Sequence, residues 1–216
     1  MQKENIKTTE NTTHEAVQES KIDDQISEGK AYFVINPGTL AYQTNVPGLA
    51  FDFNYGARVV VPAGNFIVVI KDRDTGVVLY NAPAASCMIT STKKFFVNFR
   101  IEVYQDGKLV FEHNYDAKGK KVLLKFPKGA LGDNLSWFPY AQEFKNKHGC
   151  EVYCAISKEL ADLFRPAYSE LKFVDNDEFI EGVYATYYMG IFFPCSDRVH
   201  QPVDFRVVGL QRNVAH

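Results

Sequence analysis

One turn in the second half of the chain, Lys128-Gly129-Ala130-Leu131-Gly132-Asp133, has residue types that could do chemistry. It follows a short apolar strand, Lys121–Phe126. It precedes Trp137, Ala141 and Phe144, whose i, i+4, i+7 spacing predicts an amphipathic helix. A first strand-to-helix turn lies at the carboxyl end of its strand, where open α/β sheets bind ligands. Gly129 and Gly132 let the backbone approach a ligand closely, and a helix start favours anionic groups. Asp133 is the turn's one carboxylate. It could take the proton of an acceptor hydroxyl as a general base, or it could simply cap the turn that follows. The glycine spacing is neither G-x-G-x-x-G nor a P-loop, so no standard nucleotide fingerprint applies.

The elements around this turn fall into two parts. Residues 31–126 read as β-rich, with strands over 49–55, 57–62, 65–72, 76–82, 94–104, 108–115 and 120–127. Phe51, Phe53 and Tyr55 alternate with Asp52 and Asn54, and Asp106-Gly107 is a strong two-residue hairpin signal. Short antiparallel strands with tight turns suggest a small barrel or sandwich. From residue 121 the pattern changes to strand, helix, strand, helix, strand, the doubly wound α/β order. Pro139 suits a first helical turn, so the first regular helix is expected to begin there and to stop at Gly149. A strand over 150–156 follows, then a helix from Ser157 to Phe164, a strand Leu171–Val174 and a strand Tyr184–Phe193. Residues 175–182 form an acidic loop. Asp204 could cap a last helix to His216, and the chain halts there with fewer strands than an open α/β sheet usually has. The second part is therefore expected to be a truncated domain.

Composition narrows the function classes. The 216 residues are 46% hydrophobic with a formal net charge of −2, which excludes a disordered chain and gives no charge surplus for nucleic acid. No apolar run approaches the ~20 residues of a membrane helix. Residues 1–30 carry four lysines against seven acidic residues and no aromatic, so they read as a disordered leader without the apolar stretch of a signal peptide. Cys150 and Cys154 fall on one strand about 13 Å apart, too far to share a zinc ion bound at about 2.3 Å. They read as buried strand cysteines in a reducing cytoplasm, and no metal ligands are assigned. His113 sits at a polar alternation position and is expected to face solvent.

The segment GALGDNLSWFPYAQEF resembles the GxLGDxxxxxP segment that opens the N-terminal α/β domain of ADP-heptose-dependent heptosyltransferases. The resemblance is closer to one branch, the bacterial autotransporter heptosyltransferases. It is carried in order by GLAFDFNYGARVVVPAGNFIVVIKD, STKKFFVNFRIEVY, VLLKFPKGALGDNLSWFPYAQEFKNKHGCEVYCA, VYATYYMGIFF and QPVDFRVVGL, so it spans residues 48 to 212. Ala130 stands where the family often has threonine and Gln211 where a histidine is common.

The resemblance implies an α+β chain in two parts. A leader (1–30) and a small antiparallel β-barrel (31–118) precede a partial Rossmann-like α/β domain (119–216), the acceptor-side first half of a GT-B fold. It implies a cytoplasmic glycosyltransferase that moves heptose from ADP-heptose to serine hydroxyls of autotransporter adhesins. Asp133 would be the catalytic base, and Gly132, Asn134 and Trp137 would line the same cleft. Trp137, spaced helically with Phe144, equally fits a core position. The family's donor site and iron site lie chiefly in a C-terminal region, so no cofactor is expected in this chain and little transferase activity from it alone. The family assembles into large rings, which implies a homo-oligomer, with no nucleic acid and no membrane insertion. The alternative is a non-enzymatic module that binds an adhesin or a sister subunit through the β-rich part.

Overall fold

The computed structural model describes residues 42–189 apart from 92, 94, 129 and 130. The expected leader, residues 190–193 of the last expected strand and the helix over 204–216 lie outside the described residues.

Eight strands come first. They are β1 (Tyr42–Gln43), β2 (Ala50–Asn54), β3 (Arg58–Val61), β4 (Phe66–Asp72), β5 (Val78–Ala84), β6 (Cys87–Thr90), β7 (Phe99–Gln105) and β8 (Lys108–Asn114). Each carries the β-branched and aromatic residues that a half-buried pleated surface favours. The Asp106-Gly107 turn is as the sequence predicts. Both residues have positive φ (49° and 78°), and Gln105 faces Lys108 across a two-residue loop. Strands β5-β4-β7-β8 form one antiparallel sheet. Pro83, which cannot donate to a ladder, is tolerated because β5 is that sheet's edge. The segment 95–98, expected to open a long strand, stays outside β7, whereas β6 was not read from the sequence at all.

The expected small barrel does not close among the described residues. Strands β1, β2, β3 and β6 leave the four-stranded sheet and join the parallel strands of the second part. Those are β9 (Lys121–Lys125), β10 (Glu151–Ala155), β11 (Lys172–Val174) and β12 (Val183–Tyr188), with α1 (Leu131–His148) and α2 (Lys158–Phe164) between them. The combined order is β11-β10-β9-β12-β2-β3-β6, with β1 beside the start of β2. β12 runs parallel to both β9 and β2, so one sheet is continuous across residue 119. The physical cause is that β2 has two pairing edges. β3 takes one, and the other is satisfied by β1 at Ala50 and Phe51 and by β12 at Phe53 and Asn54.

One large apolar cluster joins the parts. Phe53, Val59, Ile70, Phe99 and Ile101 pack with Val122, Leu124, Phe138 and Tyr184. Phe138 holds α1 down, stacked on Phe164 at 4.0 Å between ring centroids and flanked by Phe126 at 5.1 Å. Cys150 and Cys154 both lie in this cluster.

Two local expectations are corrected. α1 begins at Leu131, not at Pro139, and Pro139 lies inside it. Pro139 removes the bond that its N–H would make to the carbonyl of Leu135. Both residues lie on the exposed side of the helix, so the freed carbonyl is on the solvent side. His113 does not face solvent. Its ring stacks on Phe111 and lies 4.5 Å from that of Phe51, and Nε2 is 2.8 Å from the Tyr184 hydroxyl of β12. No helix among the described residues is long and apolar enough to cross a membrane.

Candidate functional site

In chain order β9, β10 and β11 step outward in one direction, and β12 is then laid on the other side of β9. The gap between the carboxyl ends of β9 and β12 is the topological switch point, where a crevice opens in doubly wound sheets. The chain leaving β9 runs Phe126-Pro127-Lys128 and enters α1 by way of residues 129 and 130, so the first turn of α1 stands at this crevice.

The four residues singled out in the sequence occupy that turn and the next, with opposite orientations. Gly132 and Asp133 are exposed, while Asn134 is fully buried and Trp137 nearly so. Asp133 is the third residue of α1, where the helix dipole favours a negative charge. Among the described residues no hydrogen bond or ion pair holds its carboxylate. Gly132 has no positive φ, and a Cβ built on it would meet nothing within 4 Å. Among the described residues neither strain nor crowding therefore demands a glycine there. Asn134 points the other way, and its Nδ2 donates to the Pro127 carbonyl at 3.1 Å. That bond ties the start of α1 to the end of β9. Trp137 belongs to the apolar cluster beneath the same turn.

Sequence reasoning missed the polar groups on the sheet face away from α1. Register places Lys125 beside Ala155 and Tyr188, and Thr186 beside Leu123 and Asn54. Thr186 Oγ1 donates to Asn54 Oδ1 at 2.6 Å, and Asn54 Nδ2 donates to Asp52 Oδ2 at 2.9 Å. Asp52 in turn accepts Arg58 Nε at 2.7 Å and Nη2 at 2.5 Å. Asp52, Arg58, Thr186 and Lys125 are all buried. The alternation of Asp52 and Asn54 against Phe51 and Phe53 was visible, but nothing local indicated that the polar side would be covered. Lys125 donates to the Asn176 carbonyl at 3.5 Å, and burial lowers its pKa. Lys128 lies 3.9 Å from Asp177, a pair open to solvent.

The described residues do not fit a metal. None of them forms a group of three or more histidine, cysteine or acidic side chains able to hold an ion. Burial pushes the Cys150 thiol up to about 11 and the Cys154 thiol up to about 12, which keeps both protonated at neutral pH, whereas a ligating cysteine must be a thiolate.

Residues 46–107 match the family described as the N-terminal domain of the glycosyltransferase TibC. The chain is 41% identical to the autotransporter heptosyltransferase Aah of Escherichia coli over 78% of this chain and 44% of Aah. It is 37% identical to TibC of Escherichia coli O78:H11, over 87% of this chain and 47% of TibC. It is also 37% identical to the inactive autotransporter heptosyltransferase BimC of Burkholderia thailandensis, over 83% and 43%. The crystal structure of the iron-containing, dodecameric TibC from enterotoxigenic E. coli H10407 superposes with a TM-score of 0.76 at 38% identity, covering 82% of this chain and 47% of that one. A second TibC structure, in complex with ADP-D-beta-D-heptose, gives 0.75. The chain thus spans about half the length of the curated relatives it matches.

Proposed function

We propose that this chain, a relative of the autotransporter heptosyltransferases, forms the acceptor-side part of a protein O-heptosyltransferase with Asp133 as its catalytic base. The carboxylate takes the proton of a serine hydroxyl on an autotransporter adhesin, the serine oxygen attacks the anomeric carbon of heptose, and ADP leaves. One observation carries this reading: an exposed carboxylate, held by nothing among the described residues, stands in a helix's first turn at the switch point of the sheet.

The neighbouring residues support it. A glycine inside a helix costs about 0.5–1 kcal/mol relative to alanine, and the open space beside Gly132 suits a substrate group against the backbone. Asn134 fixes the turn through Pro127, and Trp137 fills the core beneath it, so both act by positioning Asp133. In this reading residues 119–216 are the acceptor-side domain of a GT-B fold, 31–118 a β-rich companion and 1–30 a leader. The donor is ADP-heptose, the work is done in the cytoplasm before export, and copies of the chain assemble as TibC does.

The test is a chimera in which residues 42–189 replace the matching stretch of Aah, assayed by heptose added to an adhesin passenger. The chimera is expected to transfer heptose, and Asp133→Asn to lower the rate about 10²–10⁴-fold with an unchanged melting temperature. A chimera that folds but does not transfer, or a variant of near-normal rate, refutes the reading. The similarity to BimC, a relative named as inactive, favours a second reading as a non-enzymatic adhesin-binding or assembly module. Adhesin capture by a folded, inactive chimera would support that one.

A further inference from the structure

We propose that Lys125 is the cationic element of an oxyanion site at the switch point, built to take a phosphate or diphosphate group. Lys125 is the last residue of β9, the strand on which the sheet order turns. Val122, Leu124 and Phe126 pack into the large cluster under α1, whereas Leu123 belongs to a separate small cluster with Ala155 and Val183. Lys125 shares the side of Leu123, so its stem runs along the face away from α1, and its head reaches the Asn176 carbonyl in the loop that leads to β12.

Lys125 as a whole residue is 7% exposed. Among the described residues its ammonium makes one hydrogen bond, to the Asn176 carbonyl at 3.5 Å, the outer limit of such a bond. It has three N–H donors to satisfy. No carboxylate among the described residues forms an ion pair with it, and Asp177, whose charge does reach it, is itself exposed and lies 3.9 Å from Lys128. A buried charge is normally paired, so a lysine left with one long bond to a neutral oxygen is suited to a partner that arrives from outside.

The surroundings select the class of partner. Lys128 adds a second positive charge three residues along the chain. Two cations within electrostatic reach of each other match an oxyanion with several acceptor oxygens. An anion entering there displaces the Asn176 carbonyl and completes the ammonium's hydrogen bonds. That the anion is a diphosphate rests on the transferase reading, since the proposed donor carries one. The existence of the site rests on Lys125 alone.

The experiment titrates the full chain with inorganic pyrophosphate by calorimetry and follows thermal unfolding of Lys125→Met and Lys125→Arg. The wild-type chain is expected to bind, and Lys125→Met to weaken binding more than about tenfold, as loss of a charge-assisted bond does. Lys125→Met should also melt at the same or a higher temperature, because an apolar side chain replaces a poorly paired buried charge. Lys125→Arg should retain binding. A wild-type chain that ignores pyrophosphate, or a Lys125→Met chain that binds as well as wild type, overturns the proposal. So does a fall in the melting temperature of Lys125→Met, which would mark the lysine as a pin for the loop around Asn176. Pyrophosphate binding that persists beside a folded but inactive chimera refutes the transferase reading and leaves this site standing.

Discussion

His113 should make the stability of this protein depend on pH in a way its neighbours do not. Its Nε2 lies 2.8 Å from the Tyr184 hydroxyl, and that hydroxyl already accepts the Asp116 N–H at 2.9 Å. The hydroxyl proton is thus free to point at His113, whose neutral ring can accept it at Nε2. Burial among Phe51, Phe53 and Phe111 pushes the imidazole down from 6.5 to about 4, Lys120 adds to that and Asp116 opposes it. The unfolded chain thus takes up a proton as pH falls through 6.5, while the folded chain refuses it until about 4. Stability is complete above the higher value and is withdrawn across that window at about 1.4 kcal/mol per pH unit, roughly 3 kcal/mol in all. Urea unfolding of the wild type and of His113→Gln, at pH values from about 7 to about 4, separates this residue from every other titrating group. The wild type's stability relative to the variant should fall by about 3 kcal/mol across the window. A difference that stays flat with pH would refute the neutral, acceptor role of His113.

Two further outcomes test the packing beside the crevice. Arg58→Met leaves the Asp52 carboxylate buried without its guanidinium and should cost about 3–5 kcal/mol, while Asp52→Leu with Arg58→Met should recover most of it. A single variant that loses less than about 1 kcal/mol by urea unfolding would contradict the pair's importance. Gly56→Ala should cost more than about 2 kcal/mol, because φ is +90° and its Cβ would collide with the Lys93 carbonyl and the Ser91 hydroxyl. Gly107→Ala, at φ +78° in open space, should cost only about 1 kcal/mol, and equal losses at the two sites would refute the steric argument.

What the sequence made legible was local. The Asp106-Gly107 turn, the order of strands and helices after residue 121 and the stop at Gly149 follow from spacing and turn chemistry. What it hid depends on partners far along the chain. The alternation of Asp52 with Phe51 fixes which residues share a face, but that both faces are covered depends on residues packed there from distant parts of the chain. His113 sat in a polar register because the tyrosine that receives it lies 71 residues away. The start of α1 was misjudged because Pro139 alone favours a helix start, and the exposure of Leu135 that makes it tolerable is a tertiary fact. Lys125 reads as an ordinary strand end until its burial is known.

The pairing of β2 with β12 also bears on how such a chain is made. The Thr186–Asn54 bond joins residues 132 positions apart, so the ribosome releases β2 long before its partner exists. Until then one edge of β2, rich in phenylalanine, is an open template for any passing strand. Loop closure over that distance makes the joint a late and slow event in folding. Cutting the gene near residue 119 to obtain the β-rich part alone would thus produce a protein with a permanently unfinished edge, prone to aggregate. Expression of the two parts as separate polypeptides should succeed only when they are synthesised together.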